Sequence, residues 1–282
     1  MTTKNPMQLK ALIKKKAEEV NLPSQLVLQN YIMERLLERI SLSEFRRNIV
    51  LKGGFLIAAI VGLDSRATMD LDATVKGLPM TNESIRSIFD EVCTIALEDN
   101  IEFNVSRITD IREGGDYPGL RVSLIANFPP LAIPLSVDVT TGDKITPSEI
   151  EYSVRLMFDD RSISLMGYNL ETILAEKLET VLSRNITNTR PRDFYDIHLL
   201  YAMRSSECNI AVLKQALEET ASSRGSLTIM ERYRKTVADI LESPQMQGFW
   251  KKYRDDYEYA KDVEFAETCA TILRIMEVLT IQ

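Results

Sequence analysis

The stretch from Leu51 to Val75, LKGGFLIAAIVGLDSRATMDLDATV, combines a glycine pair, a short apolar run and two closely spaced aspartates. The residues up to Lys52 are typical of a β-strand and FLIAAIV of a short helix, so Gly53 and Gly54 lie where strand passes into helix. Glycine has no Cβ, which allows unusual backbone angles and a close approach of backbone N–H groups to a ligand. The positive end of the helix dipole points to the same place. This order predicts an anion site, suited to a triphosphate, at Lys52, Gly53 and Gly54.

Three aspartates form a candidate metal site. In the strand predicted for RATMDLDATV, Asp70 and Asp72 project from one face because side chains alternate along a strand. Two such carboxylates, about 7 Å apart along the backbone, can converge on a hard cation such as Mg²⁺. Asp138 lies in the apolar run IPLSVDVTT, where an unpaired charge would cost several kcal/mol without a metal or hydrogen bonds. Two alternatives stay open: an ion pair between Asp138 and an arginine, and a surface turn with solvated acids for the glycine and DLD unit.

The secondary-structure patterns divide the chain into three parts. Residues 1–48 carry helical periodicity, with Pro23 and Ser24 as a helix start signal. Residues 49–168 mix helices with strand candidates, which are NIVLKG, DLDATV, IEFNVSRITDI, LRVSLIANF, IPLSVDVTT and RSISLMGY. Residues 169–282 carry only helix candidates, which are LETILAEKLETVLSR, PRDFYDIHLLYAMR, IAVLKQALEETASS, ERYRKTVADILES and AETCATILRIMEVL. The expected fold is α+β, with a mixed-sheet core and flanking helices followed by a helical C-terminal domain.

The net charge of −7 excludes a broad basic surface for nucleic acid, so any polyanion has to bind locally. One local cationic group lies in the C-terminal part and is called the arginine cluster: Arg184, Arg190, Arg192 and Arg204. The longest apolar run, FLIAAIV, is far shorter than a membrane span, and the N-terminus lacks the apolar core of a signal peptide. The three cysteines are scattered and form neither a disulfide framework nor a zinc motif. We expect a cytoplasmic protein without membrane contact.

The helix LETILAEKLETVLSR has a polar face beside an apolar stripe. The stripe is expected to lie in the core and comprises Ile173, Leu174, Leu178, Val181 and Leu182. Lys177 and Arg184 share the neighbouring face, where two cations could neutralise a polyphosphate, although an ordinary exposed helix has the same spacing. Asp193 and Asp196 share a face of the next helix. They either pair with nearby arginines or orient Lys177.

Taken together, these motifs resemble a known fold. Gly53-Gly54, the helix after them, Asp70-x-Asp72 and a later aspartate in a strand are similar to the nucleotidyltransferase fold of the DNA polymerase β superfamily. The text VLKGGFLIAAIVGLDSRATMDLDATV, with AEKLETVLSR and RPRDFYDIHLL downstream, resembles more narrowly the AbiEii/AbiGii nucleotidyltransferase toxins of bacterial abortive-infection toxin–antitoxin systems. The resemblance covers residues 30–205. Many superfamily members have Gly-Ser where this chain has Gly53-Gly54, so a hydroxyl contact to the triphosphate is missing and backbone N–H groups would serve instead.

The resemblance implies a reaction, a cofactor and partners. A nucleoside monophosphate would pass from an NTP to an acceptor hydroxyl with release of pyrophosphate, assisted by two Mg²⁺ ions. Asp70 and Asp72 would hold both ions, and Asp138 would bind the catalytic ion and assist deprotonation of the acceptor. The implied acceptor is RNA, in particular the 3′ end of a tRNA, and the implied protein partner is a cognate antitoxin.

Further roles follow from the resemblance for residues around these aspartates. Arg66 and Thr68 precede the DLD motif and alternate onto its face, which makes them candidate contacts to phosphate or acceptor. Functional roles are also implied for Lys177, as a nucleotide-binding residue, and for Asp193. The arginine cluster would bind RNA.

Two other functions remain open. DLDAT fits the DxDxT pattern of haloacid-dehalogenase-like phosphatases, but those enzymes usually place the motif after a continuously apolar strand, whereas SRATM precedes it here. The second alternative is a non-catalytic nucleotidyltransferase-like module with a regulatory role, and the three retained aspartates argue against it. An assay with labelled NTPs and Mg²⁺ separates the three functions by nucleotide transfer, phosphate release or neither.

Overall fold

The computed structural model describes residues 5–111 and 119–281. The chain forms two compact units. The first comprises Met1–Asp143 and Glu149–Tyr168, and the second comprises Lys144–Ser148 and Asn169–Gln282. The candidate glycines and the DLD motif thus lie in the first unit, and the candidate residues of the C-terminal helices lie in the second.

Among the described residues of the first unit, seven strands form one sheet. In chain order the strands are β1 (Ile49–Lys52), β2 (Leu71–Val75), β3 (Glu102–Asp110), β4 (Gly119–Phe128), β5 (Leu131–Thr140), β6 (Ile150–Arg155) and β7 (Ser162–Gly167). Their order across the sheet is β3-β4-β5-β2-β1-β7-β6. The pairs β2–β5 and β1–β7 are parallel and the other neighbouring pairs are antiparallel, so the sheet is mixed. Strand β2, which carries most of the DLD motif, lies between β1 and β5.

The helices of the first unit are α1 (Pro6–Glu19), α2 (Ser24–Leu42), α3 (Gly53–Val61) and α4 (Asn82–Thr94). Side chains alternate between the two faces of the sheet along each strand. Leu71 and Ala73 of β2 are buried on one face of the sheet. Asp72 lies between them and therefore projects from the opposite face, and Asp138 takes the same position in β5. The alternation thus places Asp72 and Asp138 on one face of the sheet, opposite the face that carries Leu71 and Ala73.

The second unit is helical. Its helices are α5 (Leu170–Arg184), α6 (Pro191–Arg204), α7 (Ile210–Ser223), α8 (Ile229–Glu242), α9 (Pro244–Asp256) and α10 (Phe265–Ile281). Helix α5 packs against α6 and α7, and α10 packs against α6 and α8. The predicted core stripe of α5 is confirmed, because all of its apolar residues are buried. In the described ranges 5–111 and 119–281, no helix combines the length and the apolar character needed to cross a membrane.

The predicted fold class is confirmed, since a mixed sheet with flanking helices is followed by a helical C-terminal region. Two elements were missed. The apolar residues of β6 alternate with polar ones, but this strand lies at a sheet edge and is mostly exposed, so its pattern is weak. Helix α9 buries Met246, Trp250 and Tyr253 along one face, but polar residues and Gly248 between them obscure the helical period.

Candidate active site

Charged side chains form one row across the centre of the sheet. Backbone pairing places Lys52 of β1 opposite Asp72 of β2. Asp72 also pairs with Asp138 of β5, and Asp138 pairs with Arg121 of β4. Neighbouring strands lie about 4.8 Å apart, and side chains in one row project from the same face. The row, called here the carboxylate row, runs cation, carboxylate, carboxylate, cation, and brings two of the candidate metal ligands side by side.

Gly53 and Asp72 lie in direct contact where β1 passes into α3. The φ angle of Gly53 is +66°, in the left-handed region. A Cβ atom at this position would lie 2.1 Å from Asp72 Oδ2 and 2.8 Å from its Cγ. Glycine is therefore required twice, because other residues are strained at this φ and because any side chain would displace the carboxylate. The start of the helix and the aspartate of the row form one structural unit.

Gly54 has a similar relation to Arg66 and Thr68. A Cβ atom at Gly54 would lie 2.9 Å from Thr68 Oγ1 and 3.2 Å from Arg66 Nη2. Both side chains are buried, and the Thr68 carbonyl accepts a hydrogen bond from Asn30 Nδ2 at 2.8 Å. The Thr68 hydroxyl also lies 3.3 Å from the backbone nitrogen of Asp70, which is exposed and immediately precedes β2. The structure thus gathers these predicted phosphate contacts around the second glycine.

A polar cluster that the sequence analysis did not find holds Lys52. The Lys52 ammonium donates to Asp143 Oδ2 and to Thr140 Oγ1, each at 2.7 Å, and its side chain is 14% exposed. Asp143 Oδ2 also accepts from the hydroxyls of Thr74 and Thr140 at 2.5 Å. Burial alone would raise the pKa of Asp143, but the attraction of Lys52 and these hydrogen bonds outweigh burial and lower this pKa to about 2. Lys52 therefore enters the site as one partner of an ion pair.

The stability of the protein in acid tests this ion pair. Because the pKa of Asp143 is lowered from 3.8 to about 2 on folding, the pair stabilises the fold above about pH 4 and loses that contribution as the pH falls to about 2. We expect Asp143→Asn to lower the free energy of unfolding by about 2 kcal/mol at pH 7 and by much less at pH 2. Urea unfolding between these pH values measures the difference, with the exposed Asp90→Asn as control. An equal difference at both pH values would contradict the assignment.

Arg121 and Asp138 form a two-point ion pair. Arg121 Nε and Nη2 donate to the two oxygens of Asp138, each at 2.7 Å, and the side chains are 48% and 21% exposed. These hydrogen bonds and the negative charge of Asp138 raise the pKa of Arg121, and Asp70 and Asp72 add to the effect. Of the two interpretations of Asp138, the structure shows the pairing with an arginine. Arg121, which the sequence analysis missed, lies in the field of all three candidate carboxylates.

The three aspartates fit Mg²⁺ by their chemistry, because carboxylate oxygens are the ligands that this ion prefers. Asp72 and Asp138 also share one row on neighbouring strands. Within the part of the chain that the structure describes, however, no three His, Cys, Asp or Glu side chains are gathered closely enough to hold an ion. Both oxygens of Asp138 face Arg121 instead. The Arg121 guanidinium therefore occupies one acceptor site on each Asp138 oxygen that an ion shared by the three aspartates could use.

In the second unit, Lys177 lies between two aspartates. Its ammonium is 2.9 Å from Asp193 Oδ1 and 2.8 Å from Asp196 Oδ2. Burial would lower the pKa of Lys177, but the attraction of both carboxylates outweighs burial and raises this pKa, so the amine is charged. Of the two pairings considered for these aspartates, the structure shows the one with Lys177. Asp193 Oδ2 is buried and has no hydrogen-bond partner among the described residues.

The structure divides the arginine cluster. Arg184 ends α5, and Arg190 and Arg192 flank the start of α6, so these three exposed residues border the connection between the two helices. Arg204 lies at the other end of α6, where its Nη2 donates to Glu207 Oε2 at 2.7 Å. The first three cations are accessible to phosphate groups, whereas the charge of Arg204 is already paired.

Comparison with known proteins identifies a family to which this chain is similar. Residues 35–271 match the family described as nucleotidyl transferase AbiEii toxin of a type IV toxin–antitoxin system. The chain belongs to the AbiEii family. This match spans the sheet and most of the C-terminal helices, and it confirms the resemblance found in the motifs. A comparison with curated proteins gives no significant match.

Two solved structures from Helicobacter pylori resemble this AbiEii-family chain. One is a candidate nucleotidyltransferase, with a TM-score of 0.54 and 18% identity over 92% of this chain and 98% of its own. The other is JHP933, with a TM-score of 0.52 and 18% identity over 93% of this chain and 96% of its own. At this identity the likeness concerns the fold, and it confirms the predicted nucleotidyltransferase-like core.

The structure gives no support to the phosphatase alternative. Phosphatases with a DxDxT motif usually carry it after an apolar strand. In this AbiEii-family chain Asp70 precedes β2 and Asp72 is near the start of that strand. The strand is also antiparallel to its neighbour β1. The motif therefore occupies the beginning of a strand rather than its end.

Proposed function

We propose that the chain transfers a nucleoside monophosphate from an NTP to an acceptor hydroxyl and releases pyrophosphate. The observation that carries this proposal is the contact between Gly53 and Asp72. At this contact the N-terminal end of α3, which suits phosphate, touches a carboxylate that suits Mg²⁺. A triphosphate bound at the helix start lies next to the carboxylate row. Membership of the AbiEii family supports transferase chemistry at this site.

In this proposal the carboxylates have two roles, metal binding and acceptance of a proton. Asp70, Asp72 and Asp138 would hold two Mg²⁺ ions, which would supply neutralising charge for the phosphates and a lowered pKa for the acceptor hydroxyl. The acceptor oxygen forms a bond to the α-phosphorus while the bond from that phosphorus to pyrophosphate breaks. Asp138 receives the acceptor proton. In the second unit, Asp193 and Asp196 together keep the ammonium of Lys177 charged.

The glycine pair and its neighbours bind the phosphates in this proposal. Backbone N–H groups of Gly53 and Gly54 donate to the triphosphate at the positive end of α3. The Thr68 hydroxyl lies close to the point where a side chain at position 54 would begin, so it offers a hydroxyl beside the glycines. Arg66 adds a buried cation at the same place. Lys52 acts through Asp143, because their ion pair fixes the end of β1 that leads into the glycines.

RNA is the proposed acceptor, in particular the 3′ end of a tRNA. The chain carries a net charge of −7, so a polyanion needs a local cationic surface. Arg184, Arg190 and Arg192 supply exposed cations around one helix connection. A toxin that modifies RNA in the cytoplasm also fits a family from toxin–antitoxin systems, whose cognate antitoxin is the expected partner.

The test of the proposed function is incubation of the full chain with each labelled NTP, Mg²⁺ and total cellular RNA. Label in the RNA fraction, with equimolar pyrophosphate, supports transfer to RNA. Label on protein contradicts RNA as the acceptor but still supports nucleotide transfer. Release of inorganic phosphate alone indicates a phosphatase. Neither product, with a correctly folded protein, indicates a non-catalytic module.

The paired substitution Arg190→Gln with Arg192→Gln is expected to weaken RNA binding. Each lost phosphate contact removes about 0.7 from the slope of log affinity against log salt for a single strand, so the slope should flatten by roughly 1.4. NTP binding without RNA should change little. Filter binding across a salt series measures the slope, and Lys251→Gln with Lys252→Gln, two exposed cations of α9, is the control. Equal slopes for the arginine pair and the wild type would contradict the RNA surface.

A further inference from the structure

Arg121 has a place in the active site that neither the motifs nor the family description assigns. It lies on β4 at the end of the carboxylate row and uses two donors to bind both oxygens of Asp138 at 2.7 Å. We propose that Arg121 is a positioning residue that holds Asp138 out of the metal site and competes with the divalent cation for it. This inference rests on the proposed metal-dependent function.

The competition follows from the geometry of the pair. A carboxylate that accepts one hydrogen bond on each oxygen from the same guanidinium is fixed in orientation. An ion bound between Asp72 and Asp138 needs an oxygen of Asp138 as a ligand, and Arg121 already engages both Asp138 oxygens, so the two cations compete for the same carboxylate.

Electrostatics adds to the effect of orientation. The guanidinium charge also interacts with Asp70 and Asp72, so it partly neutralises the negative potential that would attract a cation. The Arg121 side chain is 48% exposed, so it can leave Asp138 for solvent without a buried charge being stranded. An arriving triphosphate offers the guanidinium another anionic partner. The pair therefore makes the site a poor cation site when it lacks nucleotide and a better one when NTP is present.

The experiment measures Mn²⁺ binding to the full chain without nucleotide, by the electron paramagnetic resonance signal of free Mn²⁺. Arg121→Gln is expected to bind Mn²⁺ about tenfold more tightly than the wild type, because a neighbouring positive charge and a competing partner are both removed. Arg121→Lys keeps the charge but loses the two-point geometry, so its affinity should lie between the two. Arg107→Gln, an exposed arginine on the neighbouring strand β3, should match the wild type.

Two outcomes would overturn the inference. Equal or weaker Mn²⁺ affinity in both Arg121 variants, with thermal unfolding unchanged, shows that Arg121 does not compete. If the glutamine variant fails to fold, the lysine variant alone decides by the same criterion. Asp72→Asn separates this inference from the proposed function. If Mn²⁺ binding is lost in Asp72→Asn but its affinity is unchanged in the Arg121 variants, the metal site is supported and only the competition by Arg121 is disproved. No Mn²⁺ binding in any variant, with or without NTP, overturns both.

Discussion

Asp72→Asn is expected to reduce nucleotide transfer by about a hundredfold or more while the fold stays intact. Asparagine keeps the shape of aspartate but loses the negative charge that would hold Mg²⁺ in the proposed site, where the ion would stabilise the transition state by several kcal/mol. Asp72 faces Asp138 across the strand pair, so removal of one negative charge also relieves repulsion and should not destabilise the sheet. Single-turnover transfer from a labelled NTP measures the rate, and thermal unfolding measures the fold.

Matched substitutions make this result specific. Asp90→Asn removes the same charge from an exposed position of α4 and should leave transfer unchanged. In growing bacteria, expression of the wild-type chain should slow growth, whereas Asp72→Asn and Asp138→Asn at matched levels should not. Full transfer activity in Asp72→Asn, or equal toxicity of all three proteins, would contradict the proposed site.

The features that the sequence revealed are those that local spacing decides. Gly53 and Gly54 stand out because a strand and a helix meet there, and the two-residue period of a strand predicts that Asp72 projects from the face opposite Leu71 and Ala73. The core stripe of α5 follows in the same way from the helical period. Each of these inferences needs only neighbours within one or two turns or a few strand residues.

The partners of these residues depend on distant register and could not be predicted. Arg121 and Asp138 are 17 positions apart, and their contact requires that β4 and β5 pair in one register. Lys52 and Asp143 are 91 positions apart, and nothing near either residue indicates the other. In the sequence, Arg121 is one polar position in the alternating strand LRVSLIANF, and Asp143 follows a glycine turn. Both patterns are equally typical of solvated surface charges.

Helix packing determines the partner of Asp193 and Asp196, which the sequence alone does not decide. Asp193 and Asp196 share a face of α6 whether they pair with arginines or with a lysine of another helix. Only the packing of α6 against α5 decides between these options, and it places both carboxylates around Lys177. Asp196 is fully buried there, so its charge has to be paired, and the ammonium of Lys177 supplies the pair.

Gly53→Ala is expected to reduce nucleotide transfer by about a hundredfold. The new methyl group would begin 2.1 Å from Asp72 Oδ2, so the carboxylate has to move by an ångström or more, and misplacements of about 1 Å cost on the order of 10² in rate. The substitution also strains the backbone, because φ is +66° and a non-glycine residue pays about 1 kcal/mol or more in this region. Transfer rates and urea unfolding together separate the two effects.

Gly225→Ala is the control that isolates the contact with Asp72. Gly225 follows α7 with φ of +67°, nearly the same as Gly53, but no atom beyond its two chain neighbours lies within 4 Å of a Cβ built there. Backbone strain should lower the free energy of unfolding by about 1 kcal/mol in both variants, and displacement of the Asp72 carboxylate adds a further loss in Gly53→Ala alone. Only Gly53→Ala should lose transfer, because only there does the methyl group meet a carboxylate of the row. A loss of transfer equal in both variants would attribute the effect to strain, and retained transfer in Gly53→Ala would show that the position of the Asp72 carboxylate does not limit the reaction.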